Sequence, residues 1–295
     1  MWLAFAFLSA ALLGFYDVAK KHALRENAVV PVLFLNTLFC SLIFLPMALQ
    51  APFGGWEVQR YIVLKSCIVL SSWLLGYIGM KHLPLTIVGP INATRPVMVL
   101  VGALLFFGER LNLWQWAGVV LAILSFFMLS RSGRKEGIDF RHNRWILCTV
   151  GAAVMGAVSG LYDKYLMASP ADGGLGLPRL TVQCWYNFYQ ALLMGAMLLW
   201  WKSLPPRGEV GGGLPFHWRW SILLISVFLS VADYVYFYSL SLDGALISVV
   251  SMVRRSSVLV SFMLGAMLFH EKNLRSKAID LALVLLSMVL LWIGK

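Results

Sequence analysis

The chain has 295 residues, of which 60% are hydrophobic and 13% charged, and it carries a formal net charge of +11. A soluble domain has about a quarter charged residues, so a soluble globular domain is excluded. The basic residues lie mostly between long apolar runs, which ties the charge to membrane orientation rather than to nucleic acid.

Ten apolar runs follow one another: 2–22, 29–49, 60–80, 85–107, 112–130, 145–167, 180–201, 219–240, 245–269 and 275–294. Each is close to the roughly 20 residues that cross a hydrocarbon core as a helix. Runs of this length predict helices rather than barrel strands. The longest connections, 131–144 and 202–218, leave no room for a soluble domain. The first run has no basic leader and no small-x-small site behind it, so a retained span is expected rather than a signal peptide. The expected location is a bacterial plasma membrane, crossed many times. Cys40, Cys67, Cys148 and Cys184 fall singly in four spans, without metal-ligand spacing, and read as small buried apolar residues.

With the loops numbered one to nine, the odd loops carry 15 Lys and Arg residues, and the even loops and termini carry 4. The positive-inside rule then predicts odd loops in the cytoplasm and both termini outside.

In chain order the spans also reveal a repeat. Gly14-Phe-Tyr-Asp17 in span 1 recurs as Gly160-Leu-Tyr-Asp163 in span 6, and Asn36 in span 2 matches Asn187 in span 7. Span 4 ends in a stretch from Gly102 to Asn112 that contains Gly-Glu-Arg; span 9 ends in one from Gly265 to Asn273 that contains His-Glu-Lys. Five spans is an odd number, so residues 135–295 start on the opposite side from residues 1–134. The expected fold is therefore an all-α membrane protein of ten transmembrane helices in two inverted five-helix repeats. Inverted repeats are a signature of secondary transporters, with the site near the midplane between the halves.

These features resemble the drug/metabolite transporter superfamily in its ten-helix form with two EamA-like halves. The resemblance is carried by Gly14 with Lys21, by Pro96 with Glu109, and by the two span ends. Span 9 around Arg254 and Arg255 is similar to the Lys-Arg element of triose-phosphate translocators and nucleotide-sugar transporters. That similarity implies phosphate ligands at Arg254 and Arg255. In span 4 those translocators carry a Lys and a Glu where this sequence has Asn92 and Arg95, so the similarity leaves the substrate open.

The residues point to the same region by themselves. Arg95 lies near the middle of span 4, and Arg254 and Arg255 near the middle of span 9. An arginine at mid-membrane costs about 2.5–3.5 kcal/mol on insertion scales, so it faces a cavity or a partner. Asp233 in span 8 is the expected partner and can neutralise one of the three. Adjacent helical residues point about 100° apart. Arg255 shares a stripe with Ser248 and Ser251, and Arg254 a face with Ser257 and Ser261, so one arginine faces the cavity and the other a neighbouring helix. Pro96 frees the Asn92 carbonyl, beside the Asn92 amide and the Arg95 guanidinium.

Further candidates are Lys21 and Lys164 near span ends, and Asp17 and Asp163, which either pair with those lysines or carry protons. Asn36 and Asn187 are candidates for substrate or interhelical hydrogen bonds. Tyr186 with Tyr189, and Tyr234 with Tyr238, share faces and are candidates for cavity lining. Ala10 with Gly14 and Gly156 with Gly160 are small-xxx-small pairs assigned to close packing.

Three function classes follow. The first is a secondary transporter for a small organic anion, phosphorylated in its simplest form, working by exchange. The second is a proton-coupled exporter of amino acids or other metabolites, using Asp17, Asp163 or Asp233. The third, an intramembrane enzyme, lacks a motif: there is no His-Glu-x-x-His, no Gly-x-Ser-x-Gly and no Cys/His cluster. No cofactor or metal is expected. The expected partners are a small-molecule substrate and the lipid bilayer, with no nucleic acid; a homodimer is left open.

Overall fold

The computed structural model describes residues 2–48, 50–107, 112–134, 142–167, 170, 173–203, 216–241, 253–269 and 274–293. Among them the regular structure is helical: α1 (Trp2–Leu24), α2 (Val29–Ala48), α3 (Gly55–His82), α4 (Leu85–Ala93), α5 (Arg95–Phe107), α6 (Leu113–Arg134), α7 (Arg144–Met167), α8 (Arg179–Ser203), α9 (Trp220–Ser241), α10 (Ser257–Leu268) and α11 (Leu274–Ile293). The Glu109, Arg110 and His270–Asn273 span ends, Ser248 and Ser251, and the side chain of Lys164 lie outside the described residues.

The surface is the reverse of a soluble protein's. Phe7, Leu42, Phe127, Leu199 and Met263 are exposed, while Ser9, Asn36, Lys65, Ser72 and Lys277 are buried. That pattern suits a hydrocarbon solvent, where polar side chains turn inward to find partners. α1, α2, α3 and α7 each have the length and apolarity of a membrane crossing. The chain is a multi-pass membrane protein.

Ten runs become eleven described helices because span 4 is cut into α4 and α5 at Thr94. Pro96 supplies no N–H to the preceding turn, as its ring dictates. Span 9 is interrupted in the same way at Ser256, between the helical turn 253–255 and α10. The two breaks match bond for bond. Thr94 Oγ1 donates to the Ile91 carbonyl at 2.7 Å and Ser256 Oγ to the Val253 carbonyl at 2.6 Å. The Val97 N–H reaches the Thr94 carbonyl at 3.0 Å, and the Leu259 N–H reaches the Ser256 carbonyl at 2.8 Å.

The packing repeats as well. α1 lies on α9 and α3 on α7; α2 lies on α9 and α3 on α8; α5 lies on α7 and α1 on α10. The remaining principal pairs join matched spans directly, α2 with α8, α6 with α11, and α4 with α10. Exchanging spans 1–5 with spans 6–10 maps this set of pairs onto itself. Serine-to-carbonyl bonds follow the exchange: Ser66 on α3 donates to the Tyr186 carbonyl of α8 at 3.2 Å, and Ser226 on α9 donates to the Asn36 carbonyl of α2 at 3.3 Å. Spans of the first half thus pack mainly on spans of the second, which leaves a space where the two broken spans meet.

Candidate functional site

That space is a cavity of about 340 Å³ lined by α1, α3, the α4–α5 break, α9 and the Ser256 break. Close crossings shape it. A Cβ at Gly89 on α4 would meet Val258 Cγ2 at 2.7 Å, and one at Gly14 on α1 would meet Val260 Cβ at 2.5 Å. Gly14 thus allows the close helix contact expected of it, and the neighbour is α10.

Arg95 sits at the first position of α5 and lines the cavity. Its Nη2 donates to Asn92 Oδ1 at 3.1 Å, so the shared face expected for Asn92 and Arg95 is a direct bond. The guanidinium rests on α7 at Gly156, where an added Cβ would sit 2.9 Å from Cζ. Gly156 therefore makes room for a side chain rather than for another helix backbone. Arg95 Nε is buried without a hydrogen-bond partner.

Arg254 and Arg255 both line the cavity, with different company. Arg254 pairs with Asp233 and lies over the Tyr236 ring at 4.4 Å. Arg255 is exposed within the cavity and forms no ion pair among the described residues. The expectation that only one of them faces the cavity is therefore corrected: both do, and Arg254 is in addition held by α9 through Asp233.

Near the C-terminal ends of α1 and α3 the cavity carries a second polar group. Lys20 Nζ lies 3.1 Å from Asp17 Oδ1, 4.3 Å from the Tyr16 ring centroid and 5.2 Å from that of Tyr77. The sequence offers Lys21 as the partner of Asp17, or a proton-carrying role. Lys21 instead donates to the Met80 and Leu83 carbonyls, both at 2.6 Å. An ammonium suits the negative end of α3, and this leaves Lys20 for Asp17. Asp163 pairs with Lys65 of α3, a partner the sequence reading overlooked although Lys65 stands well inside the third apolar run. Lys20, Tyr16 and Tyr77 were overlooked too; the signal for Lys20 was its i+3 spacing from Asp17.

Other expected site residues lie elsewhere. Asn36 is buried between α2 and α9, where Ser226 Oγ lies 3.0 Å from its Oδ1. Asn187 is buried in α8 and does not line the cavity. Tyr186 also stands outside it, with Lys65 Nζ 5.3 Å from its ring. Tyr234 and Tyr238 are 56% and 46% exposed on the outer surface of α9. The reason is geometric: residues two apart on a helix point about 200° apart, so Tyr236 turned toward the cavity sends its neighbours outward.

Asp17, Asp163 and Asp233 are each matched by one cation, respectively Lys20, Lys65 and Arg254. Arg95 and Arg255 face the cavity with no carboxylate bound to either among the described residues. The arrangement is a positively charged pocket built from the two broken spans.

Known proteins agree with the architecture. A solved structure described only as "Crystal structure of protein" aligns with a TM-score of 0.61 at 14% identity, covering 100% of this chain and 98% of that one, which shows a shared fold. An "Uncharacterized transporter" of Archaeoglobus fulgidus is 28% identical over 43% of this chain. The alignment spans 48% of that relative's own length. An "Uncharacterized transporter in cobO 3'region" of Sinorhizobium sp. is 27% identical over 44% of this chain and 96% of its own. A "Probable 4-amino-4-deoxy-L-arabinose-phosphoundecaprenol flippase subunit ArnE" of Aeromonas salmonicida is 30% identical over 27% of this chain and 66% of its own. The model of the EamA-like transporter family matches residues 1–131. With that match and these relatives, residues 1–131 are EamA-like, and the similarity supports the drug/metabolite transporter superfamily for the chain.

Proposed function

We propose that the chain is a secondary transporter for a small organic anion, phosphorylated in its simplest form, and that it works by alternating access between two inverted repeats in a bacterial plasma membrane. One observation carries the reading: Arg95 and Arg255 face one cavity without a carboxylate partner among the described residues, while the neighbouring cations are paired. Two uncompensated charges suit a phosphate monoester, which carries about −1.5 to −2 near neutral pH. Guanidinium groups bind such oxyanions in a fork geometry. A quaternary amine suits the site poorly, because it needs carboxylates or an open aromatic cage. The exchange equivalence of the two sets of five spans supports the inverted repeat, since an odd number of crossings turns the second set over. The cavity volume suits a small metabolite. The name of the Aeromonas relative contains a phosphorylated lipid carrier, which is in keeping with a phosphate-bearing ligand.

An empty pocket would keep two positive charges unpaired while it closes. Exchange of one anion for another is therefore faster than net flux. Proteoliposomes loaded with unlabelled organic phosphate should take up radiolabelled organic phosphate faster than empty ones. Uptake that needs no internal anion, or that survives loss of Arg95, Arg254 and Arg255 together, favours the second reading, a proton-coupled metabolite exporter. The observation behind that second reading is Asp17, a carboxylate in the cavity wall.

A further inference from the structure

Beyond the cavity stands a second polar cluster that neither the anion site nor the packing of the broken spans uses. Lys65 of α3 pairs with Asp163 of α7, and its Nζ lies 3.2 Å from Ser159 Oγ and 5.3 Å from the centroid of the Tyr186 ring on α8. Lys65 is 4% exposed. None of these four residues lines the cavity. Their height in the bundle follows from two helices. Lys65 is two turns along α3 from Ser72, a cavity residue, and Asp163 is two turns along α7 from Gly156, which holds Arg95. Two turns are about 10 Å, so the ion pair forms a layer just beyond the arginines. In the other direction the cavity wall runs toward Lys20 and Met80, at the C-terminal ends of α1 and α3.

A further layer lies outward of the ion pair. The Tyr162 hydroxyl donates to the Tyr61 carbonyl at 3.2 Å, and the Tyr165 ring lies 6.4 Å from that of Tyr61 and 6.0 Å from that of Tyr162. Both layers join α3, from the first half, to α7 from the second. A carrier whose halves rock against each other must break such contacts to open that end. A buried ion pair suits this role better than apolar packing would: it holds firmly only when both partners align, and each charge regains water when they part.

We propose that Lys65 and Asp163 form a latch between the two halves that keeps the α3 N-terminal end of the pathway shut. This rests on the alternating-access reading above and adds the side chains that time it. The equivalent position on α1, Asp17, is held by Lys20 of its own helix. At the opposite end the halves are joined nearer the surface instead, by the Glu26–Arg219 ion pair and by Asn27 with the His217 backbone, so the neutralised Lys65–Asp163 latch shifts the resting carrier one way.

The test uses the full chain with Cys40, Cys67, Cys148 and Cys184 replaced by alanine and a single reporter, Leu13→Cys, in the cavity wall. A small membrane-impermeant thiol reagent is applied to intact cells and to inverted vesicles, so that each face is probed separately. With the latch present, the reporter should react quickly from one face and slowly from the other. Lys65→Gln with Asp163→Asn, which removes both charges together, should raise the slow-face rate at least five-fold. The exchanged pair, Lys65→Asp with Asp163→Lys, should bring it back toward the starting rate.

An unchanged slow-face rate in the neutral variant overturns the latch, as does an exchanged pair that labels like the neutral one. A neutral variant that no longer folds beside an exchanged variant that does makes the pair a structural strut, which also overturns it. No substrate is needed, so failure of the anion assignment leaves the result readable. A slow face that never reacts in any variant sinks alternating access itself. A slow but finite rate that the variants leave unmoved sinks the latch alone.

Discussion

The Arg95 guanidinium lies on the backbone of Gly156, with room for no Cβ between them: an added Cβ would stand 2.9 Å from Cζ and 3.0 Å from both Nε and Nη1. The glycine positions the arginine through an absence. In Gly156→Ala the clash falls on the far end of a flexible side chain, so the helix bundle survives and the guanidinium shifts. Titration calorimetry with an organic phosphate should show affinity weakened several-fold, about 1 kcal/mol. The unfolding midpoint without ligand should stay near that of the parent. A large fall in that midpoint with unchanged affinity would assign Gly156 to packing alone.

Arg254 and Arg255 are neighbours in sequence and should fail in opposite ways. Arg255 balances no described carboxylate, so Arg255→Gln should leave the ligand-free protein as stable as before or more so. It should also abolish stabilisation by anion, which for a binding protein is about 2.7 kcal/mol at a hundred times Kd. Asp233→Asn leaves Arg254 part-buried without its partner, and such breakage costs about 3 kcal/mol or more. Adding Arg254→Gln to Asp233→Asn should recover most of that loss. Thermal unfolding of the four proteins, with and without an organic phosphate, separates the two roles.

The spans were legible in the sequence because the bilayer sets helix length, and no other solvent imposes so narrow a range. Arg95, Asn92, Arg254, Arg255, Asp17 and Asp233 were legible because charge or amide inside an apolar run demands a partner, and all but Asp233 line the cavity. Partner choice was not legible. Lys20 and Lys21 stand three and four residues after Asp17, both within reach, and the choice is made by α3, whose terminal carbonyls capture Lys21. Lys65 meets Asp163 only through the packing of α3 on α7. The break at Ser256 was hidden because no proline marks it; its likeness to Thr94 lies in a hydroxyl-to-carbonyl bond.

Gly14 and Gly160 open matching Gly-x-Tyr-Asp motifs yet should tolerate alanine differently. At Gly14 a Cβ would meet Val260 Cβ and Cγ1 at 2.5 Å and the Ser257 carbonyl at 3.2 Å. At Gly160 it would touch Val99 Cγ2 at 3.6 Å, an ordinary contact. Overpacking of a rigid crossing costs about 1–3 kcal/mol, so Gly14→Ala should lower the unfolding midpoint by several degrees. It should also loosen α1 from α10 beside the Arg255 pocket. Gly160→Ala should lie close to the parent. Equal losses at the two sites would contradict the asymmetry of these crossings.

The last prediction concerns orientation. The odd loops carry 15 basic residues against 4 elsewhere, but Lys20, Lys21 and Lys277 are tied into the helix bundle. Lys20 is buried in the cavity wall, Lys21 is bound to the carbonyls of Met80 and Leu83, and Lys277 is buried with its Nζ 2.9 Å from Thr86 Oγ1. Leaving these three out gives 12 against 4, and the bias keeps its direction. Because lysines and arginines in short loops set orientation, both termini should face away from the cytoplasm. Alkaline phosphatase fused after Lys295 should be active, and a fluorescent protein fused there should be dark. Arg131, Arg144 and Arg219 should then resist impermeant labelling from outside when changed to cysteine, whereas Arg60 changed likewise should react. A dark phosphatase and a bright fluorescent fusion would reverse the assignment of every loop, and would place the Lys65–Asp163 end of the pathway on the cytoplasmic side.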